Sequence, residues 1–273
     1  MISLAPERDE SDLPADFAAF DIETAPLDDA VLAALCPPCE KLPPDPGEFD
    51  ESSVKYGQTK DPVKRAEKLA SVKAAHAAAV ASYESDVDKA QAEHFAKFKS
   101  EAALHAEYGR VVAIGVSPCP ITGEGPAIID CDGDKEEAGL RTFWDWVTAN
   151  LDMQRPMIGF NIHNFDLDFL RKRSLILGVS VPIGVYNRTA YNPWSILFLD
   201  VMREWSKRDF VKLNTLLQAF GLAGKVVNVD GVDINGKEFY LAWRDPKRRK
   251  AAETYLIRDL SGPKELALRM GIV

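Results

Sequence analysis

The sequence predicts an α/β fold in which a mixed β-sheet is flanked by helices and a helical insertion follows the first strand. Short apolar segments typical of buried strands begin at Phe17 and at Arg110. Between them, residues 63–108 contain no glycine or proline and repeat apolar residues at helical spacing. Beyond Arg110, strand-like and helix-like segments alternate, which is the pattern of a sheet covered by helices.

Composition bounds the class of protein. The 273 residues, of which 46% are hydrophobic and 27% charged, are typical of a globular protein with one large core. We therefore interpret residues 1–273 as a single domain with an insertion at about residues 28–108. No apolar run approaches the roughly 20 residues that cross a bilayer, and the acidic N-terminus lacks the apolar region of a secretory signal. We expect a cytoplasmic protein without membrane contact.

The first strand carries two acidic residues. Asp21 and Glu23 are two positions apart in Phe17-Ala-Ala-Phe-Asp-Ile-Glu, so both point to the same face of a strand. Neighbouring carboxylates on a buried strand are costly unless a cation or protons compensate their charge. The spacing indicates a metal-binding face. The alternative is a pair of surface acids on an edge strand.

The insertion begins with an irregular, proline-rich segment that extends to about Gly47. Residues 63–108 then predict either one long helix or a helical hairpin. Their apolar stripe is thin, which favours an arm that projects from the main domain. A coiled-coil arm that joins two copies of the chain is the alternative.

Regular elements are predicted at short intervals after the insertion. Leu140, Phe143, Trp144 and Val147 recur on one helical face and predict a helix over about 135–150. The same patterns predict strands at 110–116, 126–131 and 156–160, and a further strand that ends at Asp200. They predict helices at about 166–177 and 213–220 and from about residue 246. A hairpin-like region is predicted at 225–240.

The predicted order of elements places further site residues near the first strand. Asp166 follows the strand that ends at Phe160 and begins a helix, where its alternative role is an N-cap. Tyr255 and Asp259 lie one turn apart on one helical face, where the alternative role of the tyrosine is packing. Clustered carboxylates supply the hard oxygen ligands that Mg²⁺ or Mn²⁺ prefer, and two such ions suit phosphodiester hydrolysis.

These residues form three motifs in a fixed order: DxE at Asp21-Ile-Glu23, N-x3-F-D at Asn161-Ile-His-Asn-Phe165-Asp166, and YxxxD at Tyr255-Leu-Ile-Arg-Asp259. With them, about residues 15–27 and 108–262 resemble the DEDD exonucleases of the tyrosine subclass. The resemblance is greatest to the exonuclease domain of family B DNA polymerases and its free-standing phage and prophage relatives. The histidine subclass would carry a histidine at the position of Thr254.

The resemblance implies a ribonuclease-H-like fold and a 3′-to-5′ exonuclease that uses two divalent cations, Mg²⁺ or Mn²⁺, and releases nucleoside 5′-monophosphates. The resemblance implies that the metal ligands are Asp21, Glu23, Asp166 and Asp259. It implies that Tyr255 positions the attacking water. It also implies that the 3′-terminal nucleotide is contacted by Thr24, Asn161 and Phe165.

Single-stranded DNA, or the frayed end of a duplex, is the substrate that the resemblance favours. A role in DNA repair or replication, beside a protein partner, is a further expectation. Two alternatives remain open. One is a 3′-to-5′ exoribonuclease of the ribonuclease D type, which shares the motifs, and the other is a nucleic-acid-binding scaffold whose catalysis has lapsed.

The net charge of −9 is unusual for a nucleic-acid partner, although metal-binding carboxylates account for part of it. Basic runs occur at 171–173, 203–212 and 247–250, and each alone is typical of a solvated helix face. The Cys36-Pro-Pro-Cys39 pair supplies only two of the four ligands of a structural zinc, which leaves its metal binding open.

Two features at the edge of the proposed site are predicted from local rules. The ring of Pro263 would clash with the carbonyl of Asp259 in an unbroken helix, so we expect the last helix to end or kink at Gly262-Pro263. Asp200 ends a strand, and for it an N-cap or turn role is favoured over a role as a further site acid.

Overall fold

The computed structural model describes residues 17–185, 197–207, 209–224, 228–229 and 231–272. The chain divides into two compact units: unit 1 comprises Met1–Leu27 and Ala102–Val273, and unit 2 comprises Asp28–Glu101. Unit 2 therefore interrupts unit 1 directly after its first strand. The interpretation of residues 1–273 as one domain stays a prediction.

Unit 1 is built on a mixed sheet. In the described residues its five strands are β1 (Ala18–Pro26), β2 (Gly109–Ser117), β3 (Ala127–Asp130), β4 (Met157–Gly159) and β5 (Phe198–Asp200). They lie in the order β3-β2-β1-β4-β5; β1 and β3 are antiparallel to β2, and β1, β4 and β5 are parallel to one another. This order and these directions are those of the ribonuclease-H-like fold, so the predicted fold class is confirmed.

Helices connect the strands. Those described are α1 (Asp29–Leu35), α2 (Pro62–Ala102), α3 (Glu136–Asp152), α4 (Asp166–Ile176), α5 (Ile183–Val185), α6 (Val201–Trp205), α7 (Leu213–Ala219), α8 (Phe239–Arg244) and α9 (Arg249–Met270). The predicted hairpin-like region contains the short strands β6 (Asn228–Val229) and β7 (Val232–Asp233), and it also includes the start of α8. Residues 225–227 and 230 of that region lie outside the described residues.

Strand β1 is buried because helices cover both faces of the sheet. Phe20 and Ile22 face a core formed with α3 and α4, where the ring of Phe20 packs edge-on against Phe143 at 5.4 Å. Ala25 lies in the opposite core, which α8 and α9 complete. Since alternate residues of a strand point to opposite faces, Asp21 lies on the face that α9 covers.

Helix α9 does not end at Gly262-Pro263, so the prediction that it ends there is wrong, whereas a kink at the proline stays a prediction. The helix continues to Met270, with Pro263 in its interior. Beyond the proline, Leu266 and Ala267 are fully buried in a core shared with α6, α7 and β4. We infer that this burial of apolar surface outweighs the backbone hydrogen bond that proline cannot donate to the carbonyl of residue 259.

Unit 2 consists of α1, an irregular segment and α2. Helix α2 is continuous over 41 residues, so the prediction of one long helix is confirmed and the helical-hairpin alternative is wrong. The irregular segment runs back along α2: its carbonyl groups at Pro37 and Pro46 bond to the rings of His94 and His76, at 2.9 and 3.2 Å. Arg65, farther toward the start of α2, donates to the Thr59 carbonyl. The segment and the helix are therefore antiparallel.

Two further expectations concern the whole chain. Within the described residues, no helix has both the length and the apolar character that a membrane crossing requires. The cysteines Cys36, Cys39, Cys119 and Cys131 are all free thiols. Of these, Cys131 is buried, and burial raises the pKa of its thiol.

Candidate active site

Three carboxylates converge on the α9 side of the sheet. One oxygen each of Asp21, Glu23 and Asp259 lie within 4.8 Å of one another. Glu23 and Asp259 are only 6% and 7% exposed. Strand spacing aligns the first two, and α9 supplies the third from a distant part of the chain. The pairing of these acids that the sequence predicts is therefore present, whereas their roles as metal ligands stay a prediction.

Gly115 allows α9 to lie close to these acids. It is the β2 residue paired with Asp21 in the antiparallel ladder. A Cβ at this position would lie 3.1 Å from Cγ of Leu256 and 3.4 Å from Cδ1 of Leu260. Two leucines of α9 thus fill the space that a side chain at residue 115 would take. The role of Gly115 could not be predicted from the sequence, because it depends on contacts with a helix that is remote along the chain.

Asp166 lies against β1 but outside the three-carboxylate cluster. Its Oδ1 accepts a hydrogen bond from the backbone N–H of Ile22, between Asp21 and Glu23, at 3.2 Å. The parallel pairing of β1 with β4 includes only Ala18 and Ala19, so Asp166 binds the strand beyond that pairing. The N-cap of α4 is Phe165, without a side-chain bond, so the N-cap role considered for Asp166 is wrong.

The loop between β4 and α4 contains the second motif and folds tightly. A Cβ on Gly159 would lie 2.3 Å from Cγ2 of Ile162, so only glycine fits at the end of β4. Asn161 has a left-handed backbone, with φ of 63°, a conformation that asparagine tolerates better than most residues. The backbone N–H of Phe165 donates to the Asn161 carbonyl at 3.1 Å, which closes the turn.

Asp200 holds this loop in place. Its carboxylate accepts hydrogen bonds from the backbone N–H groups of Asn161 at 2.8 Å and His163 at 3.3 Å. It also caps α6 by accepting from the N–H of Met202 at 3.1 Å. The favoured N-cap role is confirmed. The contact with the motif loop was missed, since the two residues are 39 positions apart.

His163 faces β5. Its Nε2 lies 3.1 Å from the carbonyl oxygen of Phe198, which can only accept, so Nε2 carries the proton. Burial lowers the pKa of the imidazole, and the hydrogen bond to Phe198 opposes this effect.

The remaining residues implied by the resemblance are largely engaged within the protein. Tyr255 is 1% exposed and packs against Phe239, with ring centroids 6.0 Å apart. The hydroxyl of Thr24 donates to the Ala103 carbonyl at 2.7 Å. Phe165 is half-buried and packs against the ring of Phe169 at 5.6 Å. Their roles toward water or substrate stay predictions.

A turn after the β6–β7 hairpin also approaches the acids. A Cβ on Gly236 would lie 3.9 Å from Oε2 of Glu23. Asn235 shapes this turn by accepting from the backbone N–H of Glu238 at 3.0 Å. The Asn-Gly pair is a turn signal in the sequence, but nothing in it predicts the contact with β1.

The first basic run differs from the solvated face that the sequence favoured. Arg173 is buried and forms a bidentate pair with Glu136, with distances of 2.7 and 2.9 Å. Lys172 pairs with Asp168 at 2.7 Å, as does Arg171 at 2.8 Å. The first run is therefore mainly structural. Residue 208 of the second run lies outside the described residues.

Arg249, in the third basic run, stacks on Trp243, with its guanidinium carbon 3.3 Å from the ring centroid. It also lies 3.4 Å from the Asp130 carboxylate. A solvated face is thus wrong for this residue as well.

The three-carboxylate cluster fits a divalent cation. Carboxylate oxygens are the ligands that Mg²⁺ and Mn²⁺ prefer, and a cation offsets the mutual repulsion of three acids that lie so close. Cys36 and Cys39 do not belong to any such group of three ligands in the part of the chain that the structure describes. The acids of β1 and α9 are therefore the better candidate for a metal site.

Comparison with known proteins finds one sequence family that matches more than half of the chain. Residues 103–257 match the sequence model of a family described as "Predicted 3′-5′ exonuclease related to the exonuclease domain of PolB". The matched range includes Asn161, Asp166 and Tyr255. It begins after the two acids of β1 and ends two residues before Asp259.

One solved structure to which the chain is similar is the family B DNA polymerase from the hyperthermophilic archaeon Pyrobaculum calidifontis, at 17% identity and a TM-score of 0.46. The match covers 63% of this chain and 23% of the polymerase, so the chain spans about a quarter of that protein's length. No curated protein sequence matches the chain significantly.

Proposed function

Because the chain belongs to the family of predicted 3′-5′ exonucleases related to the exonuclease domain of PolB, we propose that it is a metal-dependent exonuclease acting on the 3′ end of single-stranded DNA. The observation that carries this proposal is the convergence of Asp21, Glu23 and Asp259 within 4.8 Å. Family membership implies a nucleic-acid substrate, and the carboxylate cluster supports hydrolysis with divalent cations.

The acids are the metal ligands in this proposal. Asp21, Glu23 and Asp259 would hold Mg²⁺ or Mn²⁺. Asp166, whose Oδ1 accepts from the backbone N–H of Ile22 between the two acids of β1, would supply a further ligand. Bound divalent cations lower the pKa of a water molecule and neutralise charge on the phosphate that it attacks. Burial of Glu23 and Asp259 limits the reorganisation that cation binding requires.

Tyr255 positions the attacking water. It lies one helical turn before Asp259, on the same face of α9. Its ring is held against Phe239, so its hydroxyl has little freedom to move. A hydroxyl held in a fixed position on the face of α9 that carries Asp259 would orient a water molecule with a small loss of entropy.

Asn161, Phe165 and Thr24 contact the terminal nucleotide. The left-handed turn at Asn161 and the start of α4 place the first two immediately before Asp166. A half-buried aromatic ring such as Phe165 stacks against a base or sugar without reading its sequence. Such a site would accept any 3′-terminal nucleotide, as an exonuclease without sequence specificity requires.

The test uses single-stranded DNA and RNA of equal sequence, labelled at the 3′ or the 5′ end, with Mn²⁺ or with EDTA. We expect Mn²⁺-dependent release of 5′-mononucleotides from the 3′ end of DNA, and at least a 100-fold loss in Asp21→Ala. Asp152→Ala, at an exposed acid of α3, is the matched control. Preference for RNA would assign the ribonuclease D type of activity, and binding without cleavage would assign the scaffold alternative. Cleavage within the strand would indicate an endonuclease.

A further inference from the structure

Three side chains form a hydrogen-bonded chain beside the proposed site, here named the amide relay. Arg203 of α6 donates through Nη2 to Oδ1 of Asn164 at 2.8 Å. Asn164 in turn donates through Nδ2 to Oδ1 of Asn161 at 2.9 Å. The amide relay thus joins a cation of α6 to the asparagine of the second motif.

Arg203 fixes the direction of every hydrogen bond in the amide relay. A guanidinium group has only donors, so Asn164 must turn its oxygen toward Arg203 and its nitrogen toward Asn161. Asn161 must then accept with its oxygen. Its Nδ2, with two N–H donors, is left on the side away from Asn164. An amide that lacked such a neighbour could flip and exchange oxygen for nitrogen.

Arg203 is itself held in place. Its side chain is 24% exposed, and its Nε lies 4.0 Å from Oδ2 of Asp200, which is 1% exposed. The same carboxylate accepts from the backbone N–H groups of Asn161 and His163. The buried carboxylate of Asp200 therefore lies next to Arg203 and also holds the backbone of Asn161. Arg203 in turn orients the side chain of Asn161 through Asn164.

We propose that Arg203 is a positioning residue that orients the Asn161 amide so that its N–H donors face the substrate. This inference rests on the proposed function, in which Asn161 contacts the terminal nucleotide. It adds that the nucleotide group recognised there is a hydrogen-bond acceptor, such as a phosphate or carbonyl oxygen. Arg203 acts through Asn164 and does not touch the substrate.

The kinetic test compares Arg203→Met with Arg203→Lys on 3′-labelled single-stranded DNA. Methionine removes the donor, and we expect kcat/KM to fall about tenfold, mainly through KM. Lysine is also donor-only, so it preserves the direction of the relay and should restore activity to within about threefold. In an Asn161→Gly background, where the side chain is absent and glycine keeps the left-handed backbone, Arg203→Met should add less than about twofold.

The proposal would be overturned if Arg203→Met lowered kcat/KM as much in the Asn161→Gly background as in the wild type, because the arginine would then act independently of the amide relay. Full activity of Arg203→Met would overturn it as well. The matched control is Arg141→Met, which removes an exposed arginine that pairs with Glu137 on α3.

A measurement without substrate separates failure of this inference from failure of the proposed function. The side-chain amide signals of Asn161 in an ¹⁵N-labelled protein are assigned by their loss in Asn161→Gly. We expect them to shift in Arg203→Met and to stay near the wild-type position in Arg203→Lys and Arg141→Met. Unchanged signals in Arg203→Met would overturn the relay whether or not the protein cleaves DNA. Signals that depend on Arg203 in a protein without nuclease activity would support the relay and contradict only the proposed function.

Discussion

Leu256 of α9 packs closely against Gly115 of β2: a Cβ on the glycine would lie 3.1 Å from Cγ of Leu256, which is tighter than an ordinary contact. Gly115 is paired with Asp21, and Leu256 precedes Asp259 by one helical turn. The close approach of helix and strand at this point is what brings Asp259 within 4.8 Å of the acids of β1.

Gly115→Ala should therefore reduce both stability and activity. The added methyl group forces Leu256 aside, which costs about 1 kcal/mol in unfolding free energy and displaces Asp259. We expect the exonuclease rate to fall about tenfold. Thermal unfolding of the same samples measures the change in stability.

Gly262→Ala is the control on the same helix. A Cβ there would meet Leu217 at 3.5 Å, an ordinary contact, and alanine in a helix interior is more stable than glycine by about 0.5–1 kcal/mol. Equal stability and activity of the two variants would contradict the role assigned to Gly115.

Arg173→Met should destabilise the fold without a specific effect on substrate binding. The substitution leaves Glu136 buried without its bidentate partner, which typically costs about 3–5 kcal/mol. Glu136 also accepts from the backbone N–H of Val111 at 2.8 Å, so the loss reaches the start of β2. Chemical denaturation measures the effect.

The exposed pair of Arg141 and Glu137 provides the comparison, because Arg141→Met should change the unfolding free energy by less than about 1 kcal/mol. If Arg173→Met instead raised the KM for DNA and left the stability unchanged, the basic run at 171–173 would be assigned to a contact with nucleic acid.

The elements of the site were predictable from sequence because two short periodicities define them. A spacing of two aligned Asp21 with Glu23 on a strand, and a spacing of four aligned Tyr255 with Asp259 on a helix. Each pattern is local, so tertiary structure did not alter it. The start of α4 at Asp166 followed from the same kind of local signal.

What the sequence could not predict depends on contacts between distant residues. Pro263 predicts a break by local rules, yet the burial of Leu266 stabilises α9 beyond it. Arg173 belongs to a basic run in sequence, yet its partner Glu136 is 37 positions away. Asp200 reaches the motif loop only because β5 lies beside β4.

His163 makes stability depend on pH below neutrality. Burial lowers the pKa of its imidazole in the folded protein, whereas the unfolded chain has the ordinary value of about 6.5. Its contribution is therefore fully present above about pH 6.5 and is lost as the pH falls toward the folded pKa, because the unfolded state binds the proton first.

His163→Gln keeps an amide donor for the Phe198 carbonyl and does not titrate. Between about pH 7.5 and 5.5, the denaturation midpoint of the wild type should fall more than that of the variant. If the denaturation midpoints of the two proteins fell equally with pH, His163 would have no part in the pH dependence of stability.

Replacement of Asp28–Glu101 by a short linker tests the role of unit 2. The Thr24 hydroxyl donates to the Ala103 carbonyl at 2.7 Å, and the N–H of Leu27 donates to the Tyr108 carbonyl at 2.9 Å. The ends to be joined, Leu27 and Ala102, are therefore close enough for a short linker. We expect unit 1 to remain folded and to cleave short oligonucleotides, but to dissociate earlier from long single strands. Product lengths under single-hit conditions measure this effect.

The same variant tests the coiled-coil alternative. If α2 joins two copies of the chain, the truncated protein should change from dimer to monomer in sedimentation analysis. If the truncated protein matched the full chain in both product lengths and oligomeric state, a role for unit 2 in binding DNA or a second copy of the chain would be excluded.

The most direct test of the three-carboxylate site is the rate of 5′-mononucleotide release from 3′-labelled single-stranded DNA as Mn²⁺ is titrated into wild type and Asp259→Asn. We predict saturable activation of the wild type from a baseline near zero in EDTA, and at least about a 100-fold lower maximum in the variant. Equal rates in EDTA and in Mn²⁺, or an unchanged titration curve in Asp259→Asn, would contradict metal-dependent catalysis at the three-carboxylate site.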